Sequence, residues 1–269
     1  MSRPGHVATT VVPVGLRSAL TLGVTFVVGL VAFGWPFLTR PGSALDTSHS
    51  GDAPLVFVVL LPLLAAVVLA ELTSGGIDAK AVAMLGMLAA VGAALRALGP
   101  GTAGLEPSFA VIVLGGRVFG RGFGFVLGAV TLFAGALLTG GVGPWLPFQM
   151  IAAGWVGFFA GCLPRTTGRP EVVTLAAYSA LVGFAYGAVM NLWFWPFASF
   201  GPETSFVAGD PFVANLHRYL VFYVATSLPW DFGRAVVTGL VVLLAGSALL
   251  RALRRASRRA AFDAAPVFE

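Results

Sequence analysis

The chain has 269 residues, of which 58% are hydrophobic and only 10% charged, whereas an ordinary soluble domain carries about a quarter of its residues as Asp, Glu, Lys and Arg. So few charges cannot coat a water-soluble surface, and the apolar runs Leu55–Leu72 and Ala235–Leu250 lack the alternation of barrel strands. The expected fold is an all-α, polytopic membrane helix bundle. The net charge of +5 does not indicate nucleic-acid binding, because five of the 16 basic residues form one run after a hydrophobic span, Arg251, Arg254, Arg255, Arg258 and Arg259, which reads as a cytoplasmic anchor.

In chain order, Arg3 and Arg17 mark the start of an apolar stretch, Leu16–Leu38, that is too long for a signal-peptide core and reads as a retained span. Further spans are expected at 55–72, 80–98, 107–119, 122–140, 147–163, 172–197 and 232–250. The run 107–119 is short and contains Arg117; an extra apolar piece, 214–229, opens with His217 and Arg218 and meets Pro229. If 107–119 crosses and 214–229 does not, twelve basic residues fall on one side and four on the other. Since short cytoplasmic loops collect Lys and Arg, this favours about eight transmembrane helices with both termini in the cytoplasm. The piece 214–229 is then expected along the outer face or dipping partway in, with Asp231 capping the final helix. The outward segment Ala198–Asn215 is long enough to form a lid.

No catalytic constellation is visible: HExxH, GxSxG, DDxxD and Walker patterns are missing, and His6, His49 and His217 lie in tails or outer loops. No metal site, cofactor or enzymatic activity is expected. The single cysteine, Cys162, has apolar neighbours and reads as packing. Gly116, Gly120, Gly124 and Gly128 recur every fourth residue, but Gly-Arg-Gly at 120–122 is expected to bend the chain, so their role is close helix packing on more than one helix. A second small-residue stripe places Gly86, Ala90 and Ala94 on one line with Ala89 and Ala93 beside it; it suits docking a helix, either internal or from a partner.

Polar residues near the predicted outer ends of spans are Arg96, Glu106, Gln149, Asn191, Asp231 and Arg234. Each is expensive in lipid and is expected to face the bundle interior or a cavity, although Arg96 with Glu106 and Asp231 with Arg234 can also simply neutralise one another. Around them stand Trp145, Phe148, Trp193, Trp195, Phe197 and Trp230, readable as an interfacial aromatic belt or as the wall of a pocket for an organic ligand. The sequence Gly-Pro-Trp-Leu-Pro-Phe-Gln at 143–149 favours the pocket, because a rigid turn there presents an amide.

From Ala81 onward the pattern resembles the substrate-binding (S) components of energy-coupling factor (ECF) transporters. The resemblance rests on the Ala/Gly-rich stretch 81–95, on Leu-Gly-Gly-Arg-Val-Phe-Gly-Arg-Gly-Phe-Gly within Phe109–Gly128, on Leu137–Gln149, and on Met-Asn-Leu-Trp-Phe-Trp-Pro-Phe at 190–197. It implies a six-helix core at 80–250, two amino-terminal spans as an addition within 1–79, and a basic cytoplasmic tail at 251–269. It further implies a substrate-capturing subunit of the plasma membrane that binds a vitamin or related small molecule in the outward half. A transmembrane T subunit would dock on the stripe of Gly86, Ala89, Ala90, Ala93 and Ala94, and two cytoplasmic ATPases would supply energy. The residues expected to meet substrate are Gln149 and Asn191 as hydrogen-bonding groups, Trp145, Trp193 and Trp195 as stacking surfaces, and Glu106 as a charged or loop-anchoring group. The rivals are a membrane-embedded enzyme and a subunit of another transporter class.

Overall fold

Long apolar runs broken by Gly, Pro and charged residues become helices joined by short connections. The computed structural model describes residues 16–38, 62, 65, 66, 79–99, 104–198 and 200–260. The elements are α1 (Leu16–Gly34) with a 3-10 turn at Trp35–Phe37, α2 (Ala79–Arg96), α3 (Ser108–Phe119), α4 (Arg121–Thr139), α5 (Leu146–Cys162), α6 (Arg169–Phe194) with a 3-10 turn at Trp195–Phe197, α7 (Phe212–Thr226) and α8 (Leu228–Ala260). No strand occurs among the described residues. The stretches Ala19–Phe37, Arg121–Thr139, Arg169–Phe197 and Leu228–Arg258 are long and apolar enough to cross a bilayer, while α3 and α5 are shorter apolar helices. The expected span at 55–72 lies almost wholly outside the described residues.

The short run with Arg117 is the centre of the bundle. Ten of the 12 residues of α3 are buried, and at 1.5 Å per residue the helix is about 18 Å long. Its charge is satisfied internally. Arg117 donates to Glu171 (2.7 Å) and to the carbonyls of Leu163 (2.9 Å) and Thr166 (3.0 Å). Gly120, at φ 100° and ψ 172°, turns the chain from α3 into α4 in a conformation open to glycine. The fourfold glycine run is therefore split, as the Gly-Arg-Gly pattern suggests, and both halves pack on α5. A Cβ at Gly116 or Gly124 would lie 2.1 or 2.3 Å from the carbonyl oxygen of Gly157, and one at Gly128 2.1 Å from that of Ala153. The three backbones touch where any side chain would force them apart.

Helix α1 closes onto α5 through aromatic rings. Phe26 packs on Phe125, Trp155, Phe158 and Phe159, and Phe33 on Phe148 and Trp155. Its opposite side, with Leu20, Val24, Val27 and Val31, is exposed, as a lipid-facing stripe should be.

Two expectations about the C-terminal region are corrected. The final helix begins at Leu228, so Asp231 sits in its first turn, with its backbone N–H already bonded to the Ser227 carbonyl; a residue so bonded is not the cap. The helix also continues to Ala260, so Arg251, Arg254, Arg255 and Arg258 form its last turns rather than a separate tail. Helix α7, 15 residues long, buries only Asn215, Tyr219 and Phe222 and is joined to α8 through Ser227. It belongs to a small satellite core with Trp195.

Candidate functional site

The polar residues singled out near the span ends converge. Arg96, at the end of α2, donates to Glu106 (2.7 Å) and to the side-chain carbonyl of Gln149 on α5 (3.0 Å). The second oxygen of Glu106 accepts from Arg234 on α8 (2.8 Å). Arg234 also donates to Asp231 (2.5 Å) and to the Gly183 carbonyl of α6 (3.2 Å), and lies 5.1 Å from the Tyr186 ring centroid and 5.9 Å from that of Phe109. Both expected ion pairs exist, and Glu106 joins them into one cluster. Two cations and two carboxylates make it electrically balanced. Asp231 reaches its place only because Gly187 has no side chain: a Cβ there would lie 1.9 Å from the carboxylate oxygens. Beside the cluster is a cavity of about 240 Å3 lined by Arg96, Gly99, Glu106, Thr139, Trp230 and Arg234.

Gln149 is half-buried. Asn191 lies one turn beyond Gly187, on the face of α6 that meets Asp231, and its Nδ2 atom is buried with no hydrogen-bond partner among the described residues. A buried amide donor left unmatched is costly, on the order of 1–3 kcal/mol.

The aromatic residues divide into two groups. Trp145 and Trp193 meet edge to face at 6.2 Å, and Trp193 also touches Phe148 and Phe197. Trp145 is 37% exposed, and its indole N–H donates to the Gly141 carbonyl (3.1 Å). These rings are accessible. Trp195 is not: it is 0% exposed, encased by Phe37, Phe206 and Tyr219, and donates to the Thr204 carbonyl at 2.6 Å. This corrects the expectation that Trp195 offers a stacking surface; its ring is consumed in anchoring the following loop.

That loop is strapped down from both sides. The Asn215 side chain bonds both the N–H and the carbonyl of Val207 (3.1 and 2.8 Å), and Arg218 pairs with Asp210 at 2.7 Å. From the other side, Trp35 and Phe37 pack on Phe206 and Phe212. Sequence reasoning missed this amino-terminal contribution, since nothing in the Trp-Pro-Phe of residues 35–37 signals its partner 170 residues away. It also missed Tyr186, which looks like any core aromatic until Arg234 is placed beside it.

The small-residue stripe of α2 is likewise split. Gly86, Ala90 and Ala94 are exposed, and a Cβ at Gly86 would meet nothing within 4 Å. Ala89 and Ala93 are 2% and 0% exposed. Their side chains pack inside the bundle, beside Gly92, whose Cβ would meet Thr131 of α4. As docking residues Ala89 and Ala93 are therefore corrected to internal packing, and the outward face consists of Gly86, Ala90 and Ala94.

Apolar spanning helices, a balanced ionic cluster walling a cavity at one end, and an outward small-residue face define a multi-pass membrane protein. Residues 80–246 match the family described as ECF transporter, substrate-specific component. The chain belongs to that family, and so is a transporter component rather than an enzyme. No curated protein and no solved structure matches it significantly. The family match begins at α2, which leaves α1 and its aromatic hook outside it.

Proposed function

We propose that this chain captures a vitamin-like, ring-containing small molecule at the outer end of the bundle, and delivers it inward through a T subunit energised by two cytoplasmic ATPases. Glu106, Gln149 and Asn191 supply hydrogen bonds to the ligand, and Trp145 and Trp193 supply ring surfaces. Gly86, Ala90 and Ala94 form the face on which the T subunit's helices pack. Eight crossings with both termini in the cytoplasm follow from the distribution of basic residues.

The observation that carries this reading is the cavity beside Glu106 and Arg96, with Gln149 bound to the same guanidinium. At about 240 Å3 it falls below the range of roughly 300–1,000 Å3 typical of small-molecule sites, so the ligand must widen it. The neutral charge balance of the cluster suits a ligand without large net charge, which inserts by exchanging hydrogen bonds rather than by displacing a counter-ion. Release inward requires weaker binding in the inward state, since a ligand shifts an equilibrium only by differential affinity.

Thermal-shift screening of the purified chain against a vitamin panel, without ATP, is expected to reveal one stabilising ligand. Gln149→Ala and Asn191→Ala should each weaken it. Unchanged binding in both variants would overturn the site, and failure to copurify a T subunit and ATPases would overturn the delivery route.

A further inference from the structure

The larger cavity lies at the opposite end of the α6–α8 pair. It has a volume of about 620 Å3 and is lined by Arg169 and Glu171 at the start of α6, Val173 one turn on, and Leu243, Arg251 and Arg254 of α8. Glu171 is 1% exposed, and one of its oxygens accepts from both Arg117 (2.7 Å) and Arg254 (2.6 Å). Its charge is therefore fully spent. Arg169 and Arg251, both exposed, are surplus positive charge on the lining among the described residues, and Arg254 has further N–H donors beyond the one given to Glu171. The start of α6 adds its dipole: Gly168 precedes it at φ 73° with no side-chain cap, and a helix N-terminus favours an anion.

Apart from Ser247 the rest of the lining is apolar, with Leu250 as its buried floor and Val173 and Leu243 on its outward side. Val173 and Leu243 are 60% and 48% exposed, in segments long and apolar enough to span a bilayer. Leu243 precedes Arg251 by about 12 Å of helix rise. The groove thus runs from a cationic mouth into hydrocarbon depth. A soluble anion would leave most of such a groove empty, whereas the volume falls within the roughly 300–1,000 Å3 that fits a larger molecule. Basic pockets between membrane helices are the geometry that recognises anionic lipid headgroups.

We propose that this groove is a binding site for an anionic phospholipid of the adjoining leaflet, with its phosphate between Arg169, Arg251 and Arg254 and an acyl chain along Val173, Leu243 and Leu250. The lipid fastens the start of α6 to the end of α8 at the end of the bundle where arginines outnumber carboxylates. It is distinct from the transported ligand, which belongs at the other end.

The test uses the full chain purified in detergent and titrated with phosphatidylglycerol, phosphatidylcholine or inorganic phosphate, read by native mass spectrometry and thermal midpoint. Phosphatidylglycerol should be retained as a stoichiometric adduct and raise the midpoint, with the other two doing neither. Arg169→Ala/Arg251→Ala should lower its apparent affinity at least tenfold. Arg255→Ala/Arg258→Ala removes the same number of charges, both from α8 outside the groove, and should leave affinity within about twofold; both double variants spare Glu171, Arg117 and Arg254. Equal losses in the two double variants would show diffuse surface attraction and overturn the site. Equal effects of phosphatidylcholine, or of phosphate, would reduce it to an apolar cleft or a soluble-anion site and overturn it equally. Stabilisation obtained only on adding an acidic partner protein would also refute it.

Discussion

Glu106→Gln is the sharpest perturbation of the ionic cluster, because the amide keeps the volume and removes only the charge. Each Glu106 oxygen takes one guanidinium, Arg96 at 2.7 Å and Arg234 at 2.8 Å, and its side chain is only 16% exposed. After the change Arg234 retains Asp231 at 2.5 Å, whereas Arg96 keeps only the neutral Gln149 carbonyl at 3.0 Å. Leaving a buried charge uncompensated costs about 3–5 kcal/mol. Arg96 retains some solvent contact and the glutamine still accepts one hydrogen bond, so about 2 kcal/mol is the better figure. In a chain of this size each kcal/mol moves the thermal midpoint by about 2–4 °C, giving an expected fall of about 4–8 °C in detergent. A double-mutant cycle with Arg96→Met isolates the pair, and coupling of about 1.5 kcal/mol is expected. Coupling below about 0.5 kcal/mol, the usual scatter for independent sites, would refute the claim that Glu106 holds Arg96.

Gly157→Leu should abolish recovery of monodisperse protein, because even its Cβ would lie 2.0 Å from the Gly124 carbonyl oxygen; a normal size-exclusion profile would contradict that packing. Ala90→Trp, on the exposed face of α2, should leave the isolated chain's thermal midpoint unchanged while sharply reducing T-subunit recovery in copurification. Asn215→Ala removes both bonds to Val207, each worth about 1 kcal/mol, so amide exchange across 200–211 should accelerate by about tenfold or more; unaltered exchange would mean that the loop is held otherwise. Trp193→Ala should weaken ligand binding, whereas Trp195→Phe, which loses only the bond to Thr204, should leave affinity nearly intact and lower stability.

The helices were legible in the sequence because membrane hydropathy is a strong local signal, and even the short α3 with its Arg117 stood out. What lay beyond reach is pairwise. That Arg96 and Glu106 meet is guessable at ten residues' separation, but the bond from Arg234 to Glu106 spans 128 positions, and no local pattern encodes it. The same applies to the α2 stripe. A period of 3.6 shows that Gly86, Ala90 and Ala94 share a line, yet only the partners of α2 decide that Ala89 and Ala93, one step round the helix, face inward. Trp195 and Trp193 are two residues apart, hence on different sides of the chain, and composition alone could not say which ring was spent on the loop. The start of α8 was misplaced for a similar reason: Asp231 has the chemistry of a cap, but its carboxylate is drawn to Arg234 and the space above Gly187.

The two ionic clusters divide labour along one helix pair. Asp231 and Arg254 stand about 34 Å apart on α8 at 1.5 Å per residue, close to the roughly 30 Å of a hydrocarbon core, a spacing that suits charges at two interfaces with the largely apolar stretch 235–250 between them. At one end Arg96 and Arg234 face Glu106 and Asp231 in equal number. Such a cluster can trade hydrogen bonds with a ligand without exposing a net charge to low dielectric, where an unpaired ion is most expensive. At the other end Arg117, Arg169, Arg251 and Arg254 surround Glu171 alone. Among the described residues that excess has no further carboxylate to neutralise it, which suits an anionic leaflet. Under the proposed function, the balanced end is the one that opens to a solute, and the unbalanced end is the one that meets the anionic leaflet.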